Sequence, residues 1–397
     1  MNLYLDNAAT TKMSRVAIEA MLPYMETVYG NPSSLHSVGQ VAAEALADAR
    51  QRIADVLGAK SAKEIYFTSG GSEADNQAIV SAAKAGAKRG KNHIISTAFE
   101  HHAVLHTLQA LEKEGFEVTL LPINENGIVT AQQVAEAIRP ETALVTVMFA
   151  NNEIGTIQPI AEIGKVCREH RVPFHTDAVQ AAGHQHINVQ DMNIDMLSIS
   201  AHKFNGPKGI GVLYAKLGTP LTNIINGGAQ ERGKRAGTEN IPAIMGMAAA
   251  LEDANAYIDE YNAHLTVMRD RLIAGLSKIP RSILNGDPVQ RLASNVHFCF
   301  EGIEGESLLL MLDDKGIQAS SGSACASGDL DPSHVLLALG RPHEIAHGSL
   351  RLSLDHAITE EEIDYTIQQV TEVVDYLRNM SPVWRELMNG EREFVIK

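Results

Sequence analysis

The chain has 397 residues, of which 45% are apolar and 20% charged, and its formal net charge at pH 7 is -15. This length allows a large core and suggests two domains, and the composition is that of an ordinary globular protein. The negative charge argues against nucleic acid or an anionic membrane as the main partner.

The N-terminus and the cysteines bear on the compartment. The first residues, MNLYLDNAATTK, lack a basic region followed by an apolar stretch, so no signal peptide is expected. The longest nearly apolar run, 241–251, is too short to span a bilayer. The three cysteines, Cys167, Cys299 and Cys325, form no CxxC pair, which argues against disulfides and a cysteine zinc site. We therefore expect a cytoplasmic protein without an intrinsic metal, in which Cys167 and Cys299 are buried and inert.

Helical patterns alternate with short apolar runs in the first half of the chain. Residues 31–57 carry apolar side chains at helical spacing, from Val38 and Val41 to Leu57, so one buried face is expected, and Gly58 is a suitable stop. The next apolar segments are expected to be strands: EIYFTS, NHIIST, EVTLLPI, ALVTVMFA, VPFHTD, MLSIS and GIGVLYA. Several are apolar almost throughout, which is typical of a parallel sheet covered on both faces.

After about residue 250 the pattern changes. One long helix is expected over roughly 245–278, followed by two more alternating strands, SNVHFCF and SLRLSLD. A last helix begins after Thr359, where Glu362 completes a capping box, and the charged tail MNGEREFVIK is expected to be mobile. These patterns predict an α/β protein with a large domain over 15–258, and a smaller α+β domain from 1–14 and 259–397.

Three apolar segments end in polar loops, and ligands of α/β sheets gather at the carboxyl ends of strands. YFTSGGSEADN (66–76) presents free N–H groups and the Ser72 hydroxyl to a phosphate, or is an ordinary strand-to-helix turn. In FHTDAVQAAG (174–183), Asp177 could hold a protonated ring nitrogen or cap a helix. In SISAHKFNGPKGIGVLY (198–214), Lys203 could form a Schiff base or be an ordinary surface lysine.

Taken together, the three loops require a ligand with a phosphate, a basic ring nitrogen and an aldehyde. Pyridoxal phosphate has all three groups. The GPKGIG segment has neither the spacing nor the following helix of a dinucleotide fingerprint, which makes a nicotinamide cofactor a poor alternative.

Nine motifs of the chain are informative together: DNAATT, GNPSS, TSGGSEADN, EHHAV, ANNEIG, HTDAVQ, SAHKFNGPKG, ERGKRAGTEN and SSGSACAS. With these motifs the chain resembles the NifS/IscS cysteine desulfurases, which are fold-type I pyridoxal phosphate enzymes, from Leu5 to about Trp384. The resemblance implies a fold-type I transferase with a mostly parallel seven-stranded sheet, acting as a homodimer. It implies that L-cysteine is converted to L-alanine, with the sulfur passed to iron–sulfur cluster assembly or another thio-cofactor pathway. The implied acceptor is a scaffold protein of the IscU/NifU type.

The resemblance also implies a role for each matching residue. Lys203 would bind the cofactor covalently, Asp177 would pair with the pyridinium nitrogen, and Gln180 would hydrogen-bond the ring hydroxyl. His101 would stack on the ring and help to move protons. The remaining contacts would come from Gly71, Ser72, Ser200 and His202 to the phosphate, Thr238 of a second subunit to the same phosphate, Asn152 to cofactor and substrate, and Arg351 to the substrate carboxylate. A guanidinium suits a carboxylate, although a salt bridge on the strand face is the alternative for Arg351.

Cys325 lies among small residues in SSGSACASG, within a loop of about 320–332 that the resemblance implies to be mobile. Its thiolate would attack the substrate sulfur and carry it away as a persulfide, and could contact a nascent iron–sulfur cluster. Taken alone, a surface cysteine without function is an equal alternative. Two other functions stay open: a selenocysteine lyase or another pyridoxal phosphate lyase, and a mainly scaffolding role in cluster assembly.

Overall fold

The computed structural model describes residues 1–322 and 332–396. Cys325 and most of the loop expected at 320–332 lie outside these ranges, so what the sequence predicts for them stays a prediction. Across the described ranges, no helix is long and apolar enough to cross a membrane.

The strands form three sheets within the described ranges. The largest contains β2 (Ile65–Thr68), β3 (His93–Thr97), β4 (Glu117–Leu121), β5 (Thr142–Thr146), β6 (Phe174–Asp177), β7 (Met196–Ser200) and β8 (Gly211–Ala215). The second contains β9 (Ser282–Leu284), β10 (Asn295–Phe300) and β12 (Ser349–Ser353), and the third pairs β1 (Leu3–Tyr4) with β11 (Ile317–Gln318).

Two helices of the described ranges, α2 and α13, end or begin at a signal predicted from the sequence. All the helices of these ranges are α1 (Arg15–Glu26), α2 (Ser37–Leu57), α3 (Gly71–Ala87), α4 (His102–Lys113), α5 (Ala131–Ala137), α6 (Ile160–His170), α7 (Gln230–Gly233), α8 (Ile241–Ala256), α9 (Ile258–Leu276), α10 (Gly305–Asp314), α11 (His334–Ala338), α12 (His343–Ala346), α13 (Glu360–Met380) and α14 (Pro382–Met388). Two 3₁₀ turns cover Ala62–Glu64 and Ala201–Lys203. Helix α2 ends at Gly58, whose φ of 67° is left-handed, and α13 has the predicted capping box of Thr359 and Glu362.

The large sheet has the strand order β2-β8-β7-β6-β5-β3-β4, and its strands are the seven apolar segments expected from the sequence. The pairs from β7 to β4 are parallel, whereas β8 runs antiparallel to both β2 and β7. Val145 and Leu197 pack on one face with α2, α6 and α8, while their neighbours Leu144 and Met196 pack on the other with α3 and α4. The predicted α/β class is confirmed, with helices on both faces of a mostly parallel sheet.

A separate core surrounds the three-stranded sheet. Leu3 and Leu5 pack there with side chains of α9, β10, α10, β12 and α13. The N-terminal strand thus packs against residues from the last third of the chain. This supports a large domain over 15–258 and a smaller one from 1–14 and 259–397, and these limits stay a prediction.

The prediction of a single helix over 245–278 was wrong, because two helices, α8 and α9, cover this range. Helix α8 is buried in the core of the large sheet, and α9 packs in the second core through Leu265 and Leu272. The break falls at Tyr257, whose backbone has φ -114° and ψ 11°. Two different packing partners therefore interrupt a pattern that reads as continuous.

Two expectations about the surface were also wrong. Val38 and Val41 of α2 are exposed, since the buried face of this helix is lined by smaller residues such as Ala42 and Ala45. The C-terminal tail is held in place, because the Glu301 carboxylate accepts the backbone N–H groups of residues 395 and 396, at 2.7 and 3.1 Å.

Candidate active site

A cleft of about 460 Å³ lies at the carboxyl ends of β6 and β7. This volume suits a cofactor with a small substrate. It is lined by every predicted site residue except Cys325 and Thr238: Gly71, Ser72, His101, Asn152, Asp177, Gln180, Ser200, His202, Lys203 and Arg351. A neighbouring cavity of about 560 Å³ shares only Gln180 with this set. The smaller cleft is therefore where the predicted chemistry comes together.

The start of α3 forms one end of the cleft. Gly70 at its N-cap has no side chain to accept the first N–H groups, which stay available to a ligand. A Cβ on Gly71 would lie 2.5 Å from Cγ2 of Val179, so only glycine lets the helix start pack this closely against the loop after β6. With Ser72, Ser200 and His202 beside it, this end is suited to an anion such as a phosphate.

Two histidines of the cleft are neutral at neutral pH. Burial, followed by the charge of Lys203, lowers the pKa of both His101 and His202 to about 4. His101 accepts the N–H of Ala103 at Nδ1 over 3.1 Å, which leaves the ring proton on Nε2. The Nδ1 of His202 lies 3.1 Å from the Thr10 hydroxyl. Both rings are thus oriented by local hydrogen bonds.

Asp177 ends β6 and is buried. Its Oδ1 accepts the N–H of Val179 at 2.9 Å. Burial raises its pKa to about 6, while that hydrogen bond and the charge of Lys203 act in the opposite direction. The carboxyl group is therefore ionised at neutral pH in a dry site, where it is suited to pair with a protonated ring nitrogen.

Lys203 lies in the 3₁₀ turn that follows β7. Its Nζ donates to the backbone oxygens of Ala8 and Ala9 at 2.6 and 2.8 Å, and Gln180 Nε2 also donates to Ala8, at 2.9 Å. The N-terminal DNAATT segment thus contacts the cleft and orients the amine, a contact that spans almost two hundred residues of sequence.

Arg351 of β12 is buried and has two partners. Its Nη2 donates to Asp6 Oδ1 at 2.9 Å and its Nη1 to the backbone oxygen of Asn152 at 3.1 Å. Its buried Nε has no hydrogen-bond partner among the described residues. The salt bridge considered as the alternative role of Arg351 is therefore present.

Asp75 of α3 also lines the cleft, although the sequence suggested no role for it. It is buried beside His175, whose Nε2 lies 3.6 Å from Asp75 Oδ1 and 3.0 Å from the Ser198 hydroxyl. Burial, together with the charge of Asp177, raises the pKa of Asp75 well above its usual value. The signal available in the sequence was its position in TSGGSEADN, four residues after Gly71 on the same helix face.

Thr238 does not reach the cleft within this chain. It lines a different cavity of about 210 Å³, with Thr68 and Gly209 among its neighbours. Cys325 lies outside the described residues. Both predicted roles stay predictions.

The cleft fits pyridoxal phosphate by the chemistry of its groups. The open helix start matches the phosphate, the buried Asp177 carboxylate matches the ring nitrogen, and the Lys203 amine matches the aldehyde. All three groups line one cleft, which the sequence alone could not establish.

Comparisons with known proteins find relatives over nearly the whole chain. A family model described as Aminotransferase class-V matches residues 3–366. The cysteine desulfurase IscS of Methanosarcina thermophila is 56% identical over 381 residues, which cover 96% of this chain and 94% of that protein. A solved structure of a NifS-like protein has a TM-score of 0.89 at 36% identity, covering 95% of this chain and 100% of its own. A structure of SspA in complex with cysteine has a TM-score of 0.78 at 38% identity, covering 89% and 99%.

Proposed function

This chain belongs to the class-V aminotransferase family and is a pyridoxal phosphate-dependent cysteine desulfurase, and we propose that it transfers sulfur through Cys325. The observation that carries the proposal is the presence of Lys203, Asp177 and the start of α3 in one cleft. The near full-length similarity to a cysteine desulfurase supports L-cysteine as the substrate.

The cofactor would be held by the groups already described. Its phosphate would lie at the start of α3 with Ser72, Ser200 and His202, its ring nitrogen would pair with Asp177, and its aldehyde would bond to Lys203. When bound, it supplies an electron sink for the α-carbon of an amino acid.

The side chains of the protein bind the substrate and move protons. Arg351 binds the substrate carboxylate with its guanidinium group, and Asn152 lies beside it in the cleft. Lys203, whose Nζ is held at the cleft by two backbone oxygens, takes the proton from the α-carbon. Because its Nδ1 accepts a hydrogen bond, His101 offers a donor at Nε2.

Cys325 performs the sulfur transfer. Its thiolate attacks the substrate Sγ, an S–S bond forms, and the Cβ–Sγ bond breaks with its electron pair remaining on carbon. Protonation of that carbon completes alanine. One L-cysteine and one thiol thus give one alanine and one persulfide, so the step balances without an outside oxidant or reductant.

The same chemistry sets the expected partners and compartment. The persulfide is delivered to an acceptor, for which a scaffold protein of the IscU/NifU type is our proposal. A free Cys325 thiol persists in a reducing compartment, so we propose the cytoplasm.

We also propose a homodimer. Exposed apolar side chains recur from α1 to the start of α2: Met25 of α1 and Tyr29 and Leu35 of the loop that follows it are 63%, 79% and 95% exposed, and we call this segment the apolar line. In addition, Thr238 lies in a cavity separate from that of Lys203. A second copy that covers the apolar line and contributes Thr238 to the cleft accounts for both observations.

The test is a visible absorption spectrum, followed by L-cysteine with alanine and sulfide assayed in the same tube. We expect a yellow protein that makes alanine, and sulfide when a reductant is present. Lys203→Ala should lose the yellow colour, whereas Cys325→Ser should keep it and bind L-cysteine but release no sulfur. Lys208→Ala, an exposed lysine of the same loop, is the control. Undiminished alanine production by Cys325→Ser would contradict the proposal.

A further inference from the structure

The segment ERGKRAGTEN (231–240) contributes only Thr238 to the function proposed above, although it also contains three basic residues. It lies against α3, the helix whose start is assigned to the phosphate. Glu73, Gln77 and Ser81 follow one another at intervals of four residues on α3, so they share one face of the helix. Each of these three side chains contacts the chain between residues 222 and 235.

The two inner contacts of this face hold the backbone of the segment. The Ser81 hydroxyl accepts the N–H of Thr222 at 2.8 Å, and Gln77 Nε2 donates to the backbone oxygen of Lys234 at 2.7 Å. Gln77 and Ser81 are both fully buried. Lys234 immediately precedes Arg235, so α3 fixes the point from which the Arg235 side chain extends.

The segment is also held on its other side. Arg50 donates to both carboxyl oxygens of Glu231, at 2.6 and 2.7 Å, and this pair is buried. Glu231 and Arg232 have φ of 48° and 58°, in the left-handed region that residues other than glycine seldom adopt. The contacts around the segment therefore hold its backbone in a conformation that it would not keep alone.

The outer contact joins the segment to the start of α3. Arg235 Nε donates to Glu73 Oε1 at 2.9 Å, and its Nη2 donates to Glu73 Oε2 at 3.3 Å. Glu73 Oε2 also accepts the backbone N–H of Ser69 at 2.7 Å. One carboxylate thus connects the loop before α3, the first turn of α3 and Arg235.

This contact is one half of a capping box. In the complete motif the N-cap side chain accepts an N–H of the first turn, while the glutamate three residues later reaches back to the chain before the helix. Gly70 at the N-cap has no side chain, and Glu73 takes only the N–H of Ser69. The loop is therefore fixed while the N–H groups of the first turn stay available to an anion.

A carboxylate in the first turn would repel an anion bound at the helix start unless it were compensated. Burial acts to raise the pKa of Glu73, but the hydrogen bonds from Arg235 and Ser69 outweigh it and hold this pKa below its ordinary value. Glu73 is therefore ionised, and the Arg235 guanidinium supplies the compensating positive charge. Among the described residues that line the cleft, neither Glu73 nor Arg235 is present.

We propose that Arg235 and Glu73 are a pair of positioning residues that hold the start of α3 in the conformation that binds the phosphate of the cofactor. This inference rests on the proposed function, because it takes the phosphate to lie at the start of α3. Glu73 acts through Ser69, and Arg235 acts through Glu73. Without Arg235, Glu73 is an uncompensated negative charge beside the phosphate.

The test titrates the apo-protein with pyridoxal phosphate and with pyridoxal, which has the same ring and aldehyde but no phosphate. Arg235→Gln should lose roughly 10-fold in affinity for pyridoxal phosphate, the effect of an uncompensated charge in a partly hydrated site, and keep its affinity for pyridoxal. Adding Glu73→Gln to this variant removes the charge and keeps an acceptor for Ser69, so most of the loss should be recovered.

Glu73→Ala removes the acceptor as well as the charge. Its Ser69 amide should exchange hydrogen faster than in the wild type, and its loss of affinity should again be confined to pyridoxal phosphate. Ser81→Ala is the matched control, because it removes a contact of the same helix face two turns away. It should keep the wild-type ratio of the two dissociation constants.

The ratio of the two dissociation constants also decides against the inference. A wild-type ratio in Arg235→Gln would overturn it, as would an equal loss for both ligands, which indicates a general disturbance of the fold. If the wild type bound pyridoxal as tightly as pyridoxal phosphate, the phosphate would not lie at α3, and both the site assignment and the inference would be wrong. A protein inactive on L-cysteine would contradict the proposed function alone, since the titrations need no turnover.

Discussion

At the scale of single residues, burial has opposite effects on the two kinds of titratable group in the cleft. It raises the pKa of Asp177 to about 6 and lowers the pKa of His101 to about 4. At pH 7 to 8 the aspartate is still ionised and the histidine is neutral. The cleft thus combines a carboxylate for a ring nitrogen with an uncharged ring that can stack on the cofactor.

The pKa of Asp177 leads to a pH dependence of cofactor binding. As the pH falls through about 6, Asp177 takes up a proton and can no longer pair with a protonated ring nitrogen. The Kd of the apo-protein for pyridoxal phosphate should therefore rise about tenfold per pH unit below this value. Absorbance titrations between pH 5 and 8 would measure it.

Asp177→Asn is the control for this titration, because the cofactor also has groups that titrate. The variant should bind weakly at every pH, and only the difference between the two proteins should show the step near pH 6. An equal pH dependence in both proteins would mean that Asp177 is not the group responsible.

At the scale of elements, the site depends on where helices and strands begin and end. β6 ends at Asp177, β7 is followed by the turn that carries Lys203, and α3 begins at Gly71. Parallel strands bring their carboxyl ends to one edge of the sheet, so three loops that are distant in sequence meet there. The phosphate end requires in addition that α3 start close to the loop after β6.

Gly71→Ala should weaken binding of the cofactor, because the new Cβ would meet Val179 Cγ2 at 2.5 Å and push the start of α3 away. The double variant Gly71→Ala with Val179→Ala removes that methyl group and should restore most of the affinity. Titration of the three apo-proteins with pyridoxal phosphate measures this coupling. If Val179→Ala adds to the loss, close packing at this point is not the reason for the glycine.

At the scale of the whole molecule, the second core determines where the N-terminal segment lies, and the apolar line between α1 and α2 is the proposed dimer contact. Leu3 and Leu5 belong to the second core, while Ala8 and Ala9, a few residues later, bind Lys203. The N-terminal segment therefore connects the second core to the cleft.

Leu35→Asp, in the loop between α1 and α2, should give a monomer if the apolar line is the dimer contact. This side chain is 95% exposed in the single chain, so the change should not affect folding of the monomer. Sedimentation should show twice the 42.9 kDa chain mass for the wild type and the single mass for the variant, with weaker cofactor binding because Thr238 is lost from the site. Leu310→Asp, 74% exposed on α10, is the matched control and should stay dimeric. A dimeric Leu35→Asp variant would place the contact elsewhere.

Local pattern was enough to predict the seven strands, the end of α2 at Gly58 and the start of α13 at Thr359. It also pointed to the loops of Ser72, Asp177 and Lys203, whereas His101, Asn152 and Arg351 were expected only from the resemblance to a known family. These features depend on the periodicity of apolar residues and on short motifs, which are complete within a few positions of the chain.

Tertiary structure alone decided the remainder. It separates α8 from α9 at Tyr257, pairs Arg351 with Asp6, and places Arg235 at the carboxyl group of Glu73. Asp6 and Arg351 are 345 residues apart, and Glu73 and Arg235 are 162 apart. No local pattern encodes such a contact, because each partner reads as an ordinary loop, helix or strand residue until the fold brings the two together.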